Sequence, residues 1–472
     1  MKLLIALIVA TVISYISCLD WRRSVKTVFF LVVFEGVLRK WILPQASEII
    51  YFLKDMVLFG AYFQYYILSK SQNKFPKAKT PIINILLFLA FSWCCFQGLN
   101  PSLGSPIVGI WGIKNYFFYI PLMWMLPNLF RTEEELFTFI KTQLVIFIPV
   151  GILGIVQFVS PASSPLNQYA PGLEQVGGVA RFGVSGAVRI TGAFSFVNTY
   201  VAYLLVCCGF IIPILETEQS QKDRNISILQ AILLIANSFM TGSRTIILAG
   251  LLFIIGYFGL KIVTQFAKTM RLIQLFLPPI ILAFVSASIV FADKINTILD
   301  RILFSKDVAL RIKLLFTEPF HNIGIKGWDG FGSGATHQAT GVLRSVLGLP
   351  GGEPIPVGYE SEMGRILLEI GPIGFLLWYG LKLAILIALF QLIWKLKRPF
   401  LKNLALAAFL IHLIWFPNQH VFHITFSVYY GFLSGFLYLL PQIEASEQLQ
   451  QQQLLYLYDQ DAYIPSSPYR ES

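Results

Sequence analysis

Three arginines carry the clearest chemical signal in the sequence. Arg189, Arg244 and Arg311 each lie near a glycine-containing loop in a chain that is otherwise strongly apolar. Arginine stays charged at physiological pH, and its planar guanidinium matches two phosphate oxygens. Arg244 also stands at the predicted start of a helix, where free N–H groups favour an anion. Together they predict a phosphate or diphosphate site, although any one of them alone would suit an interfacial anchor.

A carboxylate that could act on a hydroxyl lies further along the chain. Glu360, followed by Ser361, comes just before a long apolar run, and a carboxylate at the edge of a bilayer is suited to general-base chemistry. We expect Glu362 instead to charge the first turn of the following helix. His321 and His337 are alternative bases, and are more simply interpreted as polar loop residues.

The sequence predicts neither a metal nor a cofactor. No Asp-x-Asp pair or His–carboxylate cluster accompanies Glu360, and Asp459 and Asp461 fall in a polar tail. For His412, His420 and His423, we prefer the interpretation as interfacial histidines to that as metal ligands.

The composition indicates a membrane protein. Of the 472 residues, 56% are hydrophobic and only 13% are charged, with a mean hydropathy of +0.67, whereas a soluble chain carries about 25% charged residues. The net charge of +11 comes largely from short loops, so it indicates membrane topology and not nucleic-acid binding. The five cysteines lie in or beside apolar runs and are expected to be core residues.

The apolar runs predict an all-α polytopic fold with about 12–13 transmembrane helices. The helical domain covers residues 1–441 and includes outer loops at 161–192 and 293–364, and residues 442–472 are expected to form a disordered cytoplasmic tail. The predicted spans are 3–18, 27–43, 49–68, 81–98, 107–129, 136–160, 193–214, 225–241, 245–262, 273–292, 366–394, 404–418 and 424–440.

The positive-inside rule orients these spans. Basic segments at 22–23, 70–79, 221–224, 268–271 and 395–398 are compatible with one cytoplasmic face. The N-terminus then lies outside, and the three arginine-bearing segments meet at the outer face. Charges within the early spans, at Glu35, Arg39, Lys54 and Asp55, are expected to pair and pack helices.

Four segments resemble the O-antigen ligase and O-antigen polymerase superfamily of bacterial membrane proteins. Residues 189–198 are similar to the family's segment before a middle helix, and Gly242-Ser-Arg-Thr-Ile246 resembles its Ser-Arg-Gly turn. The stretch from Arg311 to the Gly-rich residues 327–334 resembles the start of its large periplasmic loop. Glu360-Ser361, followed by Gly371-Pro-Ile-Gly374, resembles its His-Asn/Ser and Gly-x-x-Gly motifs.

This resemblance implies a fold like that of lipid-dependent (GT-C-like) glycosyltransferases, in the bacterial inner membrane with a periplasmic active site. It implies that an undecaprenyl-diphosphate-linked glycan is transferred to a glycan or lipid-linked acceptor, with inversion and without metal or other cofactor. Arg244 and Arg311 would hold the diphosphate, and Arg189 would support donor binding. Glu360 stands where the ligases have histidine, with Ser361 beside it, so polymerisation is as well supported as ligation.

Two other functions remain open on the sequence. A flippase or transporter of lipid-linked sugars would need polar groups through the bilayer depth, and the later spans carry few. A non-catalytic scaffold that docks other glycan-assembly proteins on the outer loop is the second alternative.

Overall fold

The chain folds into a bundle of helices. The computed structural model describes residues 2–69, 80–171, 179, 181–182, 187–217, 220–290 and 307–462, and gives only the backbone for some residues, mainly within 2–6, 263–290, 307–312 and 454–462. The helices are α1 Lys2–Leu19, α2 Trp21–Val37, α3 Ser47–Tyr51, α4 Leu53–Tyr62, α5 Pro81–Gly98, α6 Pro106–Phe117, α7 Leu122–Leu129, α8 Glu133–Val159, α9 Val197–Glu216, α10 Gln221–Met240, α11 Arg244–Val290, α12 Asp307–Asn322, α13 Thr340–Leu347, α14 Glu362–Lys395, α15 Pro399–Ile414, α16 Ile424–Ser434 and α17 Phe436–Ala462.

The structure confirms the prediction of a mainly helical chain with apolar helices of membrane-spanning length. Among the described residues, six helical stretches are long and apolar enough to cross a membrane: Pro81–Gly98, Glu133–Val159, Val197–Glu216, Arg244–Ile262, Glu362–Lys395 and Ile424–Gln453. Two shorter apolar stretches, Leu7–Leu19 and Pro399–Ile414, accompany them. A two-residue hairpin pairs β1 Arg181–Phe182 with β2 Ala187–Val188 in the predicted outer loop 161–192.

Several predicted spans differ from the observed helices because local geometry divides them. In the predicted span 49–68, Phe52 separates α3 from α4. The last part of this span forms a π-helix at Phe63–Leu68. The predicted span 107–129 is divided between α6 and α7, and Pro121 stands immediately before α7. In the other direction, α11 is one helical run of 47 residues, so the predicted cytoplasmic turn at 268–271 lies within a helix.

Helix α14 folds back on itself at Gly371. That residue has φ +67° and ψ 179°, and Pro372 follows it, so the helical hydrogen-bond ladder is interrupted. Lys382 Nζ lies 3.2 Å from Glu362 Oε1, although twenty residues of straight helix span about 30 Å. Residues 362–370 therefore lie alongside the arm that begins at Pro372, and the predicted single span 366–394 is wrong at its start.

The Gly-rich part of the predicted outer loop 293–364 is packed between helices. Phe331 N–H donates to the Leu368 carbonyl (2.7 Å) and Gly332 N–H to the Glu369 carbonyl (2.8 Å). A Cβ at Gly112 of α6 would collide with the Ser333 backbone, so glycine permits this close approach. Irregular backbone is tolerated at membrane depth when protein satisfies its polar groups. Residues 293–306 of this loop lie outside the described part of the chain.

The predicted disordered tail is helical as far as Ala462. Helix α17 runs from Phe436 through the Gln-rich stretch, and Glu444 accepts the N–H groups of Lys397 (2.7 Å) and Arg398 (2.8 Å) before α15. Leu, Gln and Glu are favourable helix formers, so a polar composition alone did not indicate coil. Residues 463–472 lie outside the described residues.

Charged contacts join the basic segment 395–398 to α8 and to the predicted cytoplasmic tail. Arg398, before α15, pairs with Glu133 of α8 (2.6 Å) and with Glu447 of α17. Lys261 of α11 pairs with Glu216 at the end of α9. Arg244 begins α11 seventeen residues before Lys261, so the turn that carries Arg244 lies about 25 Å along the helix from this ion pair.

Candidate functional site

Two predicted site segments meet at the start of α11. Arg189 Nε donates to the Thr241 carbonyl at 3.0 Å, and Ile190 N–H approaches the Met240 carbonyl at 3.5 Å. Gly242 has φ +60°, which allows the tight turn from α10 into Arg244, the first residue of α11. The structure thus brings Arg189 to the turn that carries Arg244.

The other predicted residues form a second group. Arg311 lies on α12, and its side chain is outside the described part of the chain. Glu318 of the same helix accepts the N–H groups of Glu360 (3.0 Å) and Ser361 (2.9 Å). Helix α12 therefore holds the segment that begins α14.

Glu360 and Ser361 are oriented differently. The Ser361 hydroxyl is buried and accepts the Gly364 N–H at 2.9 Å, so it caps α14. Glu360 has an exposed side chain that lines an open cavity of about 750 Å³, here called the wide cleft. The geometry gives Ser361 a structural contact and leaves the Glu360 carboxylate accessible.

The wide cleft is polar and carries two arginines that the sequence analysis did not single out. Arg344 and Arg365 both line it. Its other lining residues are Ala335, Thr336, His337, Gln338, Thr340, Gly341, Gly352, Glu353, Ile355, Tyr359, Glu360 and Gln419. A pair of guanidinium groups beside a carboxylate suits a substrate with both anionic and hydroxyl groups.

Arg365 is held rigidly. Its Nε donates to Thr336 Oγ1 (3.2 Å), and its Nη2 donates to the Thr336 carbonyl (2.7 Å). The guanidinium carbon lies 3.6 Å from the centre of the Phe422 ring, and the residue is 3% exposed. An arginine at the start of an apolar run was the sequence signal that could have identified it.

Glu362 does more than charge a helix terminus. It is buried, pairs with Lys382, and accepts the N–H groups of His420 and Val421 (2.9 Å for Val421). This contact fixes the loop between α15 and α16 against α14. Glu362 therefore supports the floor of the wide cleft and does not line it.

A second, narrower cavity lies beside the wide cleft. It has a volume of about 220 Å³ and is here called the narrow cavity. Its polar lining residues are Glu35, Arg39, Lys54, Ser195, Asn198, Thr199, Gln338, Gln419, His423 and Thr425. Gln338 and Gln419 line both cavities, so the two adjoin at these side chains.

The early charged residues pair as predicted, and three of them, Glu35, Arg39 and Lys54, also line the narrow cavity. Glu35 pairs with Arg39 (3.2 Å) and Lys54, whereas Asp55 pairs with Lys114 of α6 (2.7 Å). The spacing Glu35–Arg39 allowed the pairing to be predicted. Their exposure to a cavity depends on Ser195 and other residues far away in sequence, and no local pattern indicates it.

The two alternative bases, His337 and His321, differ in their exposure to solvent. His337 is buried, and its Nδ1 accepts the Ala339 N–H at 3.0 Å, so the proton of the neutral ring belongs on Nε2. Burial lowers the pKa of His337 to about 3, and the charges of Arg365 and Lys114 add to that effect. The His321 side chain is exposed on α12, and its Nδ1 lies 2.6 Å from the Thr317 carbonyl.

The late histidines lie in the core and not at an interface. His412, His420 and His423 are all buried. His420 stacks on Tyr430 with ring centres 3.9 Å apart, and His412 Nε2 lies 3.0 Å from Ser434 Oγ. Among the described residues, no group of three or more His, Cys, Asp and Glu side chains could hold a metal ion.

Comparison with known proteins does not assign the chain to a family. No protein-family model matches the chain, and no curated protein sequence matches it. The resemblance to the ligase and polymerase superfamily therefore stays a prediction from the four segments given above.

Proposed function

We propose that this protein transfers or polymerises a glycan carried on undecaprenyl diphosphate, at the periplasmic face of the bacterial inner membrane. The observation that carries the proposal is the wide cleft, where the exposed Glu360 carboxylate and the buried Arg365 guanidinium line one cavity in a bundle of apolar helices. The product would be a cell-surface polysaccharide, lipopolysaccharide or exopolysaccharide.

The proposed reaction divides between a base and several cations. Glu360 accepts the proton of an acceptor hydroxyl, whose oxygen attacks the anomeric carbon from the face opposite the diphosphate. The bond from that carbon to the diphosphate oxygen breaks, and the lipid diphosphate leaves. Arginine charge stabilises the leaving group without a metal. Arg244 and Arg311 remain candidates for this role, with Arg189 in support, and Arg365 and Arg344 join them from the wide cleft.

The glycan profile of a deletion strain tests this function. Gel and mass-spectrometric analysis of lipid-linked and surface glycans distinguishes the two reactions. Single repeats accumulating on the lipid indicate a polymerase, and long chains accumulating with unmodified acceptor indicate a ligase. Unchanged profiles, in a strain without a second copy of the activity, would contradict the proposal and favour a scaffold for other glycan-assembly proteins.

One observation favours transport as a second candidate. The buried residues Glu369 and Lys382 lie within the predicted span 366–394, and Lys382 pairs with Glu362. Buried ionisable groups in spans often mark transport pathways. Purified protein in vesicles, loaded with a fluorescent lipid-linked sugar, tests this: movement between leaflets without transfer would favour the transporter.

A further inference from the structure

We infer that the narrow cavity is a binding site for an anionic group, with Arg39 as its principal contact. Arg39 is 1% exposed and lines the cavity. Its Nε donates to Ser47 Oγ (3.0 Å), and its Nη1 donates to Glu35 (3.2 Å) and to Ser195 Oγ (3.1 Å). Its Nη2 is buried and has no hydrogen-bond partner among the described residues.

The charge balance also favours an anion. The Glu35 carboxylate is shared between Arg39 and Lys54, so this cluster carries one positive charge in excess. His423, which also lines the cavity, is neutral at physiological pH, because burial lowers its pKa to about 4. A buried cation with an unused donor is costly unless an acceptor occupies the site.

The side chains that line the narrow cavity suit an anion that also accepts hydrogen bonds from neutral groups. Ser195, Thr199 and Gln419 supply neutral polar groups around the cationic corner, and the exposed Asn198 and Gln338 stand at its rim. Through Gln338 and Gln419 the cavity continues into the wide cleft, where Glu360 lies. The shared chemistry is a phosphate or carboxylate oxygen facing a guanidinium. The donor's diphosphate or an acidic sugar of the glycan could supply it, an assignment that rests on the proposed function.

Direct binding tests the inference without any transfer assay. Purified full-length protein in detergent is titrated with sodium pyrophosphate and, separately, sodium glucuronate at constant ionic strength, and the melting temperature reports the dissociation constant. We expect at least one of the two to bind the wild type, with affinity about tenfold weaker in Arg39→Lys, which keeps the charge and removes the planar fork. Arg131→Lys, exposed at the opposite end of the bundle beside the Glu133–Arg398 pair, serves as the matched control and should keep wild-type affinity.

A milder variant keeps the test valid if Arg39→Lys does not fold. Asn198→Asp adds a negative charge at the exposed rim, in the first turn of α9 where a carboxylate is tolerated. It should weaken anion binding, and Asn198→Ser should not. Stabilisation by pyrophosphate identifies a diphosphate site, and stabilisation by glucuronate alone identifies an acidic-sugar site.

Two results would overturn the inference: no binding of either anion to the wild type, or equal binding by the wild type, Arg39→Lys and Asn198→Asp. Its failure can be separated from failure of the proposed function. Anion binding in a protein whose deletion leaves glycans unchanged would retain the site and reject the transferase. Glycan transfer by a protein that does not bind either anion would reject the anion site and retain the transferase.

Discussion

Glu360 is the residue on which the proposed chemistry depends most. Its carboxylate is exposed in the wide cleft while its backbone is fixed by Glu318. Glu360→Gln keeps the shape and removes the base, so transfer should fall by roughly 10²–10⁴-fold. Glycan transfer in membranes, normalised to protein abundance, measures this.

Another carboxylate in the same cleft provides the control for that prediction. Glu353 is also exposed, and it pairs with Lys326 and accepts from Ser102 at 2.8 Å. Glu353→Gln should leave transfer within a few-fold of wild type. Full activity in Glu360→Gln would remove Glu360 as base and would favour the exposed His321 or the acceptor itself.

Burial of His337 predicts a stability that depends on pH. Its pKa is about 3 in the folded chain, and an unfolded histidine has a pKa of about 6.5. Between these values only the unfolded chain takes up the proton, so stability is present above about pH 6.5 and falls by about 1.4 kcal/mol per pH unit below it. Melting temperatures at pH 7 and pH 5 should therefore differ more for wild type than for His337→Phe. An equal difference in both proteins would contradict this, and the exposed His321→Phe is the control.

At the scale of single residues, sequence reasoning identified contacts that are local and missed those that are distant. The pairing of Glu35 with Arg39 follows from their four-residue spacing within a helix. Arg365 was not predicted as a site residue, because its partners Thr336 and Phe422 come from segments that only the fold brings together. Cavities are formed by such distant segments, so residue spacing alone does not reveal them.

At the scale of elements, the fold-back of α14 organises the end of the bundle that carries the wide cleft. Its two arms are joined by the Glu362–Lys382 pair, and both side chains are buried. Glu362→Gln leaves the Lys382 charge without its carboxylate partner, which should destabilise the protein by about 3–5 kcal/mol. Thermal unfolding of the purified protein measures the loss.

The double variant Glu362→Gln/Lys382→Met is the informative partner to that experiment. It removes the unpaired charge, so it should recover much of the stability lost in Glu362→Gln. A double variant as unstable as the single one would show that the backbone contacts of Glu362 to His420 and Val421 matter more than its charge.

Apolar runs predicted most helical segments but not their breaks. Gly371-Pro372 was a visible signal for a break, since proline interrupts the helical ladder and glycine accepts a positive φ. The direction of the chain after the break is set by tertiary contacts such as the bond from Trp93 Nε1 to the Ile370 carbonyl (2.8 Å). The hydropathy pattern therefore could not distinguish a fold-back from one long span.

At the scale of the whole molecule, the helices have two chemically distinct ends. One end carries the ion pairs of Arg398 with Glu133 and Glu447. The other carries the wide cleft, the narrow cavity and the turn at Arg189. The charge pattern predicts that the first end faces the cytoplasm, and the proposed function requires the second end to face the periplasm.

Cysteine labelling tests that assignment, because a periplasmic donor requires the cavities to face outward. Ser345 lies exposed on α13 beside the wide cleft, and Lys397 lies exposed at the opposite end of the bundle. In intact spheroplasts a membrane-impermeant maleimide should label Ser345→Cys, and it should label Lys397→Cys only after permeabilisation. The five native cysteines are buried or half-buried, so the wild type serves as the background. The reverse pattern would place the cavities in the cytoplasm, where an undecaprenyl-linked glycan that has already crossed the membrane could not reach Glu360.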